Sequence, residues 1–243
     1  MLSRLERGKT LSEKAHELLL EEIRGMTPGN NKLMSEEDLA DEFGISRATV
    51  REAVKYLMME AVVTRVQGKG IFAHPSVLNV ENRVDLRSDF YSMLTNSYGQ
   101  VTLDIEHLGI CPPSEICLQY LTVPSEVFTM RWTYKAQGIN RIHGQFEFPV
   151  EFLKTPPPKG FWVSGLPEFG RKYLYAPIAY CPMYIKCGFD ARASEVFHVD
   201  EKLPMQCWQE RIIDLNDNAV GFCQFFLHPT EMQTSVVTTF HVT

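Results

Sequence analysis

The sequence predicts an α+β protein in two parts: a small helical domain closed by a β-hairpin, then a larger domain built on one antiparallel sheet with helices on one face. Apolar residues recur at helical spacing from Leu11 to Ile23 and again from Val50 to Leu57, and two short β-branched runs around a Gly-rich turn follow the second set. In the C-terminal half, a pattern of helix end, strand, tight turn and strand occurs twice. At 243 residues the chain is long enough for two domains or one large one, and its 44% hydrophobic and 22% charged content is that of a globular protein.

Thr10 and Glu13 have the spacing of a capping box, and Leu11, Ala15, Leu18, Leu19 and Ile23 give the following helix one apolar face. Gly25, Pro28 and Gly29 end it. Ser35 opens a short second helix, with Asp38 placed for reciprocal capping and Gly44 for a left-handed end. Ser46 caps a third, in which Val50, Ala53, Val54 and Leu57 face a core while Arg47, Arg51 and Lys55 line the opposite side. Two helices across a Gly turn read as a helix-turn-helix. Val62 to Val66, the turn Gln67-Gly68-Lys69-Gly70 and Ile71 to Ala73 then form a hairpin with a basic tip, a wing.

The net charge of −6 is unevenly spread. Between Ser46 and Phe72 the cations Arg47, Arg51, Lys55, Arg65 and Lys69 face only Glu52 and Glu60, a local footprint suited to a polyanion.

These forty or so residues resemble the winged-helix DNA-binding domain of GntR-type bacterial transcription regulators. The pattern is carried by Ser35-Glu36, by Ser46-Arg47-Ala48-Thr49-Val50-Arg51 and by Gly68-Lys69-Gly70. The resemblance implies DNA contacts from Ser46, Arg47, Ala48, Thr49 and Arg51 in the recognition helix and from Gln67, Gly68 and Lys69 in the wing. Where the family usually carries an Arg in the preceding helix, this chain has Glu37, which removes one cationic contact with the DNA backbone.

Periodicity is lost around Pro75, so residues 1–74 read as the winged domain, 75–85 as a linker and 86–243 as the second domain. Leu86 to Leu94 reads as a short helix with Phe90 and Leu94 on one side, Val101 to Ile110 as a strand, and Pro113-Ser114-Glu115 as a helix start with Ile116, Leu118 and Leu121 apolar. The doubled unit runs first through Leu121-Thr122-Val123, the strand Val127 to Lys135, the turn Gln137-Gly138 and a strand to Phe148. It recurs as Phe197-His198-Val199, the strand Met205 to Leu215, the turn Asn216-Asp217-Asn218 and the strand Val220 to Leu227. Paired edge to edge, the two units make one antiparallel sheet. The proline-rich stretch Thr155 to Gly160 between them reads as a spacer.

This doubled pattern is similar to the UTRA effector-binding domain of the HutC branch of GntR-type regulators, whose fold is chorismate-lyase-like. The matching positions are Leu121-x-Val123, Ala136-x-Gly138, Phe148-Pro149, Ala193, Val199, Pro204 and Asp214. By that alignment the arginines that many members place on the first strand fall on Trp132 and Tyr134, a glutamate falls on Gly144 and a late arginine on His228. The effector-site residues are then Trp132, Tyr134, Gly144, Phe146 and His228. Trp132, Tyr134 and Phe146 share strand parity, as an aromatic wall for an apolar, aromatic or cationic ligand, or as ordinary core.

The expectation is a DNA-binding transcription regulator, a repressor, acting as a homodimer on a palindromic operator under control of a small-molecule effector. No nucleophile–base pair, phosphate loop or metal-ligand spacing stands out, so no catalytic residue, cofactor or metal is expected. His107, His143, His198 and His241 are isolated and read as structural. The competing readings are a lyase-like enzyme and a thiol sensor using Cys181 and Cys187. The six cysteines form no C-x-x-C pair and read as reduced thiols. The segment Met1 to Arg7 is no signal peptide and no run is long enough to cross a bilayer, which points to a soluble, cytoplasmic protein with no membrane partner.

Overall fold

The computed structural model describes residues 9–27, 29–86, 89–122 and 125–239. The expectations for Met1 to Arg7, Pro28, Val123 and His241 lie outside the described residues. Two compact units emerge, one within Met1–Leu86 and Ser235–Thr243, the other within Arg87–Thr234.

In the first unit, α1 (Leu11–Arg24), α2 (Glu36–Phe43) and α3 (Arg47–Met59) precede a hairpin of β1 (Val63–Val66) and β2 (Gly70–Ala73). The Thr10 capping box is complete: Glu13 N–H donates to Thr10 Oγ1 at 3.2 Å and Thr10 N–H to Glu13 Oε2 at 2.7 Å. The buried side of α1 is Ser12, Ala15, Leu19 and Ile23. Leu11 and Leu18, expected on that side, are 57% and 54% exposed, because the core reaches only the narrow stripe repeating every three to four residues. The reciprocal cap of α2 is half made. Ser35 Oγ accepts from Asp38 N–H at 3.2 Å, but the Asp38 carboxylate takes the Ser35 hydroxyl at 2.7 Å instead of the backbone N–H. Gly44 ends α2 with φ 62°, and Val50, Ala53, Val54 and Leu57 of α3 are buried.

Beyond the hairpin, Pro75–Asn79 form a 3-10 turn whose Val77 and Leu78 pack on the core of this unit. The buried Arg83 pairs with Asp85 and donates from Nη1 to the Glu60 carbonyl at 2.7 Å. Ser235 lies parallel to Arg83: its N–H donates to Asn82 O and its carbonyl accepts from Val84 N–H, both at 3.0 Å.

The second unit carries α4 (Phe90–Tyr98), β3 (Val101–Cys111), α5 (Cys117–Tyr120), β4 (Val127–Ala136), β5 (Ile139–Pro149), α6 (Leu166–Tyr173), β6 (Ile178–Tyr180), β7 (Met183–Gly188), α7 (Ala191–Phe197), β8 (Met205–Asp214) and β9 (Ala219–Leu227). One antiparallel sheet runs β3-β4-β5-β9-β8-β6, with β7 also on β8. The two predicted hairpins, β4–β5 and β8–β9, join through their returning strands, Ile142 opposite Leu227 and Glu147 opposite Phe222. The first is closed by Gln137 and Gly138 at φ 52° and 79°, the pair of positive φ values that suits strand twist. At α5 the inward residues are Cys117 and, just past the helix, Leu121, while Leu118, expected inside, is 41% exposed, since only one turn of helix forms. The α+β class is as expected, with the helices divided between two faces. Phe90 of α4 packs on Trp208 and Phe225, whereas Phe197 of α7 packs with Cys207 and Phe226, their neighbours of opposite parity.

Candidate nucleic-acid interface and candidate ligand cavity

Ser46 caps α3, accepting from Thr49 N–H at 3.1 Å, and its hydroxyl also meets Thr49 Oγ1 at 2.8 Å. Arg47, Ala48 and Arg51 are exposed and Thr49 half-buried, so the first turn of α3 offers its polar side to solvent. Gln67, Gly68 and Lys69 are exposed at the wing tip, where Gly68 sits at φ 72°.

Sequence reasoning missed what holds the arginines. Glu36, whose side chain is only 10% exposed, accepts from Arg51 Nε at 3.3 Å, pairs with Arg65 of β1 and lies 3.9 Å from Arg47 Nε. Glu37 lies 3.9 Å from Arg47 Nη1 with its side chain 75% exposed. One half-hidden carboxylate thus gathers cations from the recognition helix and the wing. The pattern Ser35-Glu36 was legible; the partners were not, because they come from two other elements.

In the second unit, Trp132, Tyr134 and Phe146 line a cavity of about 430 Å³ together with Phe90, Phe225 and Glu210. The wall is also core: Trp132 is wholly buried, its Nε1–H aimed at Met130 Sδ at 3.2 Å. Tyr134 is held well above the usual phenol range by burial, with Asp89, Cys223 and Glu210 adding to the effect. Gly144 and His228 do not join this wall. Gly144 lies between Trp132 and Phe225 in one row across the sheet, and a Cβ there would overlap the Phe225 ring. His228 packs against Phe197, where Nδ1 accepts from Glu231 N–H at 3.1 Å.

Glu210 was also missed. It is 4% exposed, its Oε1 has no hydrogen-bond partner among the described residues, and Cys223 Sγ lies 3.8 Å from Oε2. Burial pushes its carboxyl up to about 7, the Cys223 thiol pulling the other way. An alternating strand pattern places Glu210 on the inner face but cannot show that its Oε1 has no partner among the described residues. On the opposite face a smaller cleft of about 140 Å³ is lined by Arg131, His143 and Arg192, and burial there holds His143 down at about 4.

The cysteine-pair reading does not survive the geometry. Pro182, next to Cys181, accepts from Arg211 N–H, while Cys187 lies opposite Gln206, five residues back along β8. Five extended residues span about 16 Å, far beyond the roughly 7 Å a disulfide tolerates. Burial and Glu210 also push the Cys181 thiol up to about 12, so it is no ready nucleophile.

Residues 11–73 match the family model described as bacterial regulatory proteins, gntR family. Over most of its length the chain is similar to the crystal structure of the possible transcriptional regulator YydK from Bacillus subtilis, at 14% identity and TM-score 0.71, covering 95% of this chain and 100% of that one. It is also similar to PhnF from Mycobacterium smegmatis, at 17% identity and TM-score 0.52, covering 93% and 99%. These likenesses establish the two-part fold. Among the described residues no helix is long and apolar enough to cross a membrane. With its Ser46-capped helix, exposed arginines and wing, the segment 11–73 is a winged-helix DNA-binding domain of the gntR family.

Proposed function

We propose that the protein is a transcription regulator, a repressor, that binds a palindromic operator as a homodimer and is controlled by a small organic effector in the cavity of its C-terminal unit. The observation that carries the reading is the coincidence of Arg47 and Arg51 on the solvent side of α3 with an exposed wing in a gntR-type domain. Two-fold operators follow from two-fold dimers, and β7 leaves Tyr184 and Ile185 exposed at the edge of the sheet, as an interface would need. The C-terminal reading, a UTRA-like domain of the HutC branch, is supported by the doubled hairpin and by the cavity at Trp132 and Tyr134. An aromatic wall in place of arginines disfavours sugar phosphates.

The test begins with selection of bound duplexes from a random pool by the full chain. A palindromic consensus is expected. Arg47→Ala or Arg51→Ala should then weaken the selected duplex by about 1–3 kcal/mol, read by fluorescence anisotropy at fixed salt; unchanged affinity in both would overturn the reading of α3. For the cavity, Trp132→Phe is the informative change, because Trp132→Ala in a filled core costs about 3–5 kcal/mol by itself. Altered effector response with operator affinity intact is the expected result.

A further inference from the structure

We propose that the cavity takes a ligand carrying a protonated primary or secondary amine on an apolar or aromatic body, with the Glu210 carboxylate as its anchor. The inference deepens the reading of the cavity as an effector site and rests on it. Glu210 is buried, lies on the cavity lining, and presents an Oε1 without a partner among the described residues. A carboxylate in such a place is costly unless a donor or a cation reaches it.

Among the described residues the only donor to the carboxylate is the weak Cys223 thiol, 3.8 Å from Oε2, and neither a donor nor a cation reaches Oε1. Tyr134 on β4, Cys181 after β6 and Cys223 on β9 lie near enough to feel the Glu210 charge, and burial raises each of them above its ordinary range, so all stay neutral. Asp89, ahead of α4, spends its carboxylate on Tyr91 N–H at 3.1 Å and the Ser92 hydroxyl at 2.6 Å. Arg171 of α6 also lines the cavity but is solvent-exposed, and among the described residues no ion pair joins it to Glu210.

What remains is an acidic acceptor beside the faces of Trp132, Phe146 and Phe225. An ammonium N–H can donate to Oε1 while the rings attract its charge and cover its apolar body. A quaternary ammonium lacks the donor, and a carboxylate or phosphate would be repelled. Because burial pushes Glu210 up to about 7, it holds a proton in mildly acid solution, and that proton must leave when an ammonium binds.

Calorimetry of the full chain with phenethylamine, phenethyl alcohol and phenylacetate tests this. At about pH 8 the amine should bind at least about tenfold more tightly than the alcohol, and phenylacetate more weakly than either. In buffers of different ionisation enthalpy, close to one proton should be released per amine bound at about pH 6 and none at about pH 8.5. Glu210→Gln, which removes a buried charge, should cost the amine at least about tenfold and leave the alcohol unchanged. Equal binding of amine and alcohol, tighter binding of phenylacetate, or full amine affinity in the variant would overturn the inference and leave the cavity as a ligand site. Binding of none of the three would overturn both.

Discussion

The ring of Phe225 occupies the space that a side chain at Gly144 would take: a Cβ built on Gly144 overlaps the ring and crowds the Gln224 carbonyl. Gly144 is flanked in register by Trp132 on β4 and Phe225 on β9, and Trp208 follows on β8. One residue without a side chain in a row of bulky aromatics lets Phe225 lie across β5, which gives the cavity an aromatic floor. Gly144→Ala should therefore lower stability by about 1–3 kcal/mol through overpacking, seen as a fall in the calorimetric unfolding temperature of the full chain. An unchanged temperature would mean that the Phe225 ring swings aside at no cost.

Glu36 and Glu37 should behave differently toward DNA although they are adjacent. Glu36 holds Arg51 and Arg65 and lies near Arg47, so Glu36→Gln frees three guanidinium groups whose positions it sets. Binding to all duplexes should strengthen, with a salt dependence steeper by about one unit, while discrimination between the selected operator and random sequence falls. Glu37 is mostly exposed and touches Arg47 alone among the described cations. Glu37→Arg should strengthen binding without loss of discrimination. Anisotropy titrations of both variants across a salt series separate the two outcomes.

Glu210 makes stability depend on pH in a defined direction. Its carboxyl is raised by burial from 4.5 to about 7, so between those values the folded chain holds a proton that the unfolded chain has lost, and stability falls as pH rises through the window. His143, held down at about 4, has the opposite slope between about 4 and its ordinary value of 6.5, but it is common to both proteins and cancels in a comparison. Glu210→Gln should therefore be more stable than the parent at about pH 8, by a few kcal/mol in order of magnitude, and nearly equal to it at about pH 4.5, as read from the unfolding temperatures. A variant less stable than the parent at the higher pH would show that the carboxylate has a partner after all.

Arg83 ties three pieces of the first unit together: the Glu60 carbonyl after α3, Asp85, and the neighbouring Ser235. Arg83→Ala leaves a buried carbonyl and a carboxylate without their donor and should cost about 2–3 kcal/mol. Arg83→Lys should recover only part of this, because an ammonium cannot reach both with a planar fork. Loss of hydrogen-exchange protection at Val84 and Ser235, whose amides bond across this junction, is the expected signature. Protection equal to the parent would place the clasp elsewhere.

What the sequence by itself determined are the features decided within a turn or two of chain. The Thr10–Glu13 cap, the buried Val50, Ala53, Val54 and Leu57 of α3, the left-handed Gly44 and the limits of β4, β5, β8 and β9 all follow from rules of spacing that reach no more than a few residues. The helix α3, the β1–β2 wing and the exposed Arg47 and Arg51 belong to this class, which is why they could be read directly. Where several arrangements satisfy the same local pattern, only the tertiary structure decided. Parity put Trp132, Tyr134 and Phe146 on one face, but the cavity beside them depends on Phe90 of α4, on Phe225 filling the place of Gly144, and on a Glu210 whose Oε1 has no partner among the described residues. Glu36 meets Arg65 across 29 residues of sequence and Tyr120 meets Gln209 across 89. Such contacts are fixed by how whole elements pack once their apolar faces are buried, and no spacing rule reaches that far.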